Sequence, residues 1–141
     1  MIASKQSIVA VLLCSLPVFP WGKVGHETVA YIAEQNLSQA VKDKIKPLLA
    51  GETLVDISTW PDEYKKDHRE TAPWHYLDLP VRQDVTANNI SQYYSSQSRH
   101  GTDNVVSQIK ENINKLKNQT TSFQEKQIAL KYLVHFVGDM H

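Results

Sequence analysis

The chain is 141 residues long, enough for one modest domain and too short for two that each bury a sizeable core. Lys plus Arg and Asp plus Glu balance at 15 each, so the formal net charge is zero. That balance excludes nucleic-acid binding through a polybasic, counterion-releasing surface, and leaves any handling of phosphates to a bound metal or a few local cations.

Residues 1–20 read as a secretory signal peptide, with Lys5 as the positive n-region and Ile8 to Leu16 as an apolar run too short to span a bilayer. The alternative is a buried N-terminal helix. Cleavage before Trp21 would follow Val18-Phe19-Pro20, where small residues are the usual pattern. Cys14 is the single cysteine and lies in this segment, so the mature chain would carry no disulfide. A secreted or periplasmic domain of this size without disulfides can draw stability from metals.

Residues 21–141 are expected to form one all-α domain. Val24 to Leu37 predicts a first helix, with His26, Val29, Ala30, Ala33 and Leu37 on one stripe. Ser38 can cap a second helix carrying Val41, Ile45, Leu48 and Leu49, which Pro47 bends or ends. After Gly51, Leu54 to Tyr64 predicts a short helical stretch interrupted at Pro61. Trp74-His75-Tyr76-Leu77-Asp78-Leu79 alternates at period two between prolines and predicts an extended segment. Val81 to Gly101 is polar and reads as a loop or a helical excursion. Val105, Val106, Ile109, Ile113 and Leu116 mark a further amphipathic helix. Ser122 and Glu125 form a capping box that opens the last helix at Phe123. That helix is apolar nearly all round toward its end, as expected at the centre of a bundle.

Within it, His135 and Asp139 stand four residues apart and share one face. An ionised carboxylate among Leu133, Val134, Phe136 and Val137 needs a positive partner, and carboxylate and imidazole are both good zinc ligands. His26 lies on the apolar stripe of the first helix, Asp62 follows Trp60-Pro61, and His75 sits between two aromatics. Each has an ordinary alternative taken alone. His26 and His75 can be core histidines, Asp62 a turn or cap residue, and His135 with Asp139 a buried ion pair. Together in one short chain they point to a metal centre. His68 and His100 lie in polar loops and read as surface histidines.

The segments Trp21-Gly-Lys-Val-Gly-His26, Ser58-Thr-Trp-Pro-Asp62-Glu-Tyr, His75-Tyr-Leu-Asp78 and His135-Phe-Val-Gly-Asp139-Met-His141 resemble the successive motifs of the S1/P1 nuclease family. These are exported zinc enzymes that cut single-stranded nucleic acids and remove 3′-phosphates from nucleotides. The resemblance implies a phospholipase C/P1 nuclease-like helical bundle. It also implies two close zinc ions sharing Asp139, one held by Asp62, His75, His135 and Asp139. The other would be held by His26, Asp139 and the free amino group and carbonyl of Trp21. A hydroxide between the metals would attack phosphorus in line. The resemblance places Lys65 where a basic residue steadies the transition state, with a solvated surface lysine as the alternative. It places Tyr76 where a base stacks, a core aromatic being the alternative, and Asp78 where a carboxylate binds the base edge. His141 is given no metal. Single-stranded nucleic acid or nucleotides would be the substrate, and a monomer is expected.

Family members continue with Gln-Pro-Leu-His and another His-x-x-x-Asp pair, which build a third zinc site. These are absent here, so the bundle is expected to be truncated before its C-terminal helices. Leu130, Leu133, Val134 and Val137 would then lose partners. A zinc phospholipase C-like phosphodiesterase and a non-catalytic zinc-binding remnant are the alternative functions.

Overall fold

A computed structural model describes residues 22–77 and 103–140, and within them every regular element is helical. Six α-helices and one 3₁₀ helix follow in chain order: α1 Lys23–Asn36, α2 Gln39–Leu49, α3 Leu54–Ile57, α4 Trp60–Asp67, the 3₁₀ helix Arg69–His75, α5 Val105–Lys117 and α6 Phe123–Asp139. The expected all-α class is therefore observed. Trp21, Asp78, His100, His141 and the polar stretch 81–101 lie outside the described residues.

Local sequence sets most of these boundaries. The Ser122 hydroxyl accepts from the Glu125 amide while the Glu125 carboxylate accepts from the Ser122 amide, so the expected capping box opens α6. Thr53 with Asp56 does the same for α3, and Asn104 with Ser107 for α5. Pro47 does not stop α2 at once: the helix runs two residues further and ends as Ala50 and Gly51 turn left-handed, with φ 51° and 97°.

Two expectations about local structure are corrected. Pro61 does not interrupt a helix; it sits in the first turn of α4, where its missing N–H has no helical partner to lose, and the break falls at Ser58 and Thr59. Trp74 and His75 are not extended. They end the 3₁₀ helix, which is started by the His68 carbonyl accepting from both the Thr71 amide and its hydroxyl. Only from Tyr76, φ −146° and ψ 170°, does the backbone become extended.

Helix α6 packs against each of the other five α-helices and is the centre of the bundle. One side meets Ala30, Leu49, Leu54 and Ile57 through Leu130. The other places Tyr132 and Phe136 against Val105, Trp60, Tyr64 and Trp74. Phe136 is fully buried, which alone is worth about 1.5–3 kcal/mol of transfer free energy. Between α1, α2 and α6 runs an apolar groove of about 390 Å³, bordered by Val29, Val41, Leu133, Val134 and Val137. Leu130 is only 6% exposed and packed in the core, so the expectation that it loses its partners is not met, whereas Val137 is 39% exposed.

Candidate metal centre

Four elements converge on one end of α6. Helix α1 brings His26, the first turn of α4 brings Asp62, the last residue of the 3₁₀ helix is His75, and α6 supplies His135 and Asp139 one turn apart. His26 and His135 are buried, and Asp62 is the most open at 36% side-chain exposure.

The atoms meet at the spacing of a coordination shell. Asp62 Oδ1, His75 Nδ1, His135 Nε2 and Asp139 Oδ2 lie together, and five of their separations run from 3.0 to 3.7 Å. Four ligands around a tetrahedral zinc at 2.0–2.2 Å are ~3.4 Å apart, so the set fits that ion. Asp139 turns its second oxygen the other way: Oδ1 is 3.4 Å from His26 Nε2, which is also 3.9 Å from Asp62 Oδ2. His26, His135 and Asp139 thus form a second group able to hold a metal.

Hydrogen bonding supports a cation between these groups. His135 Nδ1 lies 2.7 Å from the Ser58 carbonyl oxygen and donates to it, which turns Nε2 toward the Asp139 oxygen 3.2 Å away. A proton on Nε2 or a metal between the two atoms holds them together at that distance. His26 is buried with neither ring nitrogen hydrogen-bonded, and its Nε2 faces the Asp139 and Asp62 oxygens. A metal there would give that buried nitrogen a partner. The His26 and His135 rings stack at 4.0 Å and 17°, which fixes their planes.

The charge state fits ligation. Burial pushes the Asp139 carboxyl up, but hydrogen bonds and charges from His135 and His75 outweigh it and hold the group well below the usual carboxylate range. Burial likewise opposes ionisation of Asp62, and the Lys65 ammonium at 2.7 Å with the nearby histidines brings it down. Burial, and then the charge of His135, lowers His26 and keeps the ring neutral, as a metal ligand must be.

The structure brings together His26, Asp62, His75, His135 and Asp139 out of the residues singled out by sequence, with Lys65 alongside through Asp62. Tyr76, next to His75, exposes 42% of its surface. His68 stands apart, stacked on Tyr64 and paired with Glu70. Sequence reasoning assigned no role to Ser58, whose contribution is a main-chain carbonyl that no residue type announces.

Comparison with known proteins bears on the same residues. Residues 21–141 match the family model described as S1/P1 nuclease. Nuclease S1 of Aspergillus oryzae is 28% identical over 94% of the chain, which spans 46% of that relative. Endonuclease 4 of Arabidopsis thaliana is 32% identical over 86% of the chain and 43% of its own length. Nuclease P1 of Penicillium citrinum is 28% identical, with 85% and 45% covered. The chain therefore spans less than half the length of these relatives.

Proposed function

The chain belongs to the S1/P1 nuclease family, and from that premise we propose that it carries the dinuclear part of a zinc phosphodiesterase. Its substrates are single-stranded DNA and RNA, cut to 5′-nucleotides, and 3′-phosphorylated nucleotides. The observation that carries this reading is the division of Asp139, one oxygen toward His75 and His135 and the other toward His26. Asp62, His75, His135 and Asp139 would hold one zinc; His26, Asp139 and the amino group and carbonyl of Trp21 would hold the other.

Zinc bound there supplies an electrophile for phosphate oxygens and makes a water acidic enough to attack near neutral pH. The remaining work belongs to the chain. Ser58 fixes the tautomer of His135 so that Nε2 faces inward. Lys65, held by Asp62, places a cation where charge gathers on the phosphate. Tyr76, 42% exposed, would offer a stacking surface that tolerates any base, and Asp78, outside the described residues, would accept from the base edge.

The amino group of Trp21 is a ligand only if residues 1–20 are removed, so the reading includes a signal peptide and a secreted or periplasmic monomer. No helix among the described residues is long and apolar enough to cross a membrane.

The test measures bound zinc by elemental analysis and cleavage of single-stranded DNA against phosphatidylcholine. Two zincs per chain with DNA cleavage are expected. Lipid cleavage without DNA cleavage, or fewer than two zincs per chain, overturns the proposal.

A further inference from the structure

Gly138 is buried on α6 between Val137 and the Asp139 carboxylate. Glycine weakens a helix interior relative to alanine, so a packing reason is needed for it here. A Cβ placed on Gly138 would lie 2.6 Å from His26 Nδ1, 3.3 Å from Cε1 and 3.7 Å from Cγ. Its three nearest neighbours are thus atoms of a single ring.

That ring has nowhere to go. It is 2% exposed and stacks at 4.0 Å on His135, which the Ser58 carbonyl anchors. Restoring ordinary contact at about 3.5 Å would require a shift of roughly 1 Å. Metal ligation tolerates only about 0.2 Å. The clash reaches His26, while Asp62, His75 and His135 form the other group of ligand atoms.

We propose that Gly138 is a positioning residue that seats His26 against α6, so that the second metal position forms only because residue 138 has no side chain. The inference rests on the two-zinc reading above. The glycine lets the main chain of α6 approach the imidazole from one side while His135 stacks on it from another. Occupancy of the position built on His75 and Asp62 does not require it.

The experiment compares the chain cleaved before Trp21 with its Gly138→Ala, His26→Ala and double variants, by zinc content after saturation and by thermal melting of the metal-stripped proteins. The parent should hold two zincs and each variant one. His26→Ala removes the obstructing ring, so the double variant should melt no lower than Gly138→Ala. Two zincs in Gly138→Ala overturn the inference while leaving the two-zinc reading intact. Failure of Gly138→Ala to fold, unrelieved by His26→Ala, also overturns it, because the clash then lies elsewhere. Fewer than two zincs in the parent overturn the two-zinc reading and the inference with it.

Discussion

At the scale of single residues, the geometry separates groups that share a metal from groups that serve one. Asp139 reaches His75 and His135 at 3.1 and 3.2 Å through Oδ2 and His26 at 3.4 Å through Oδ1. Asp139→Ala is therefore expected to lose both zincs rather than one, read by elemental analysis of folded protein. Retention of two would show that the carboxylate is not shared. Lys65 serves differently. Its bond to Asp62 is about one-third exposed on both sides, and such pairs contribute under about 1 kcal/mol. Lys65→Met should leave zinc content and melting temperature close to the parent while kcat on single-stranded DNA falls about a hundredfold, the usual cost of one lost transition-state donor. A parallel loss of zinc would instead make Lys65 a support for Asp62.

At the scale of elements, three reciprocal caps start helices α3, α5 and α6. Ser122→Ala should destabilise the fold by about 1 kcal/mol, measured by denaturant unfolding. The caps of α3 and α6 also carry a pH dependence. Side-chain and backbone hydrogen bonds from Thr53 lower Asp56, and those from Ser122 lower Glu125. A carboxyl depressed in the folded state stabilises above its unfolded value and loses that contribution as pH falls through its folded value. The reference values are 3.8 for Asp56 and 4.5 for Glu125, so first-turn amides of α3 and α6 should keep their exchange protection at neutral pH and lose it on acidification below those values. Unchanged protection in acid would rule the caps out as its source.

The same elements show where sequence is a sufficient guide. The Ser122–Glu125 box was legible because both partners are local and of the standard types. The box at Asn104 was not, because its partner at the third position is Ser107, a serine in place of the usual Glu or Gln. Trp74 and His75 misled because period-two alternation reports apolar spacing alone, whereas the local conformation was decided by Thr71 bonding back to the His68 carbonyl.

At the scale of the whole molecule, the five clustered ligands come from four separate elements. Their residue types were legible, since buried His and Asp need partners, and the family resemblance implied that they share a site; spacing alone could not show that convergence, because it depends on α6 packing simultaneously against α1 and α4. The metal should then act as a staple. It would tie His26 on α1, Asp62 on α4 and His75 on the 3₁₀ helix to α6, and relieve the facing acceptors and the orphaned Nε2 of His26. Free zinc a thousandfold above its Kd stabilises the folded state by about 4 kcal/mol, and each kcal/mol moves the Tm of a domain of this size by roughly 4 °C. Chelation at neutral pH should thus lower Tm by roughly 15 °C, with zinc restoring it and calcium failing to. Asp139→Ala should melt at one temperature whether or not zinc is present. A parent chain whose Tm ignores chelation would mean that packing along α6, through Phe136 and Tyr132, holds the bundle without help from the site.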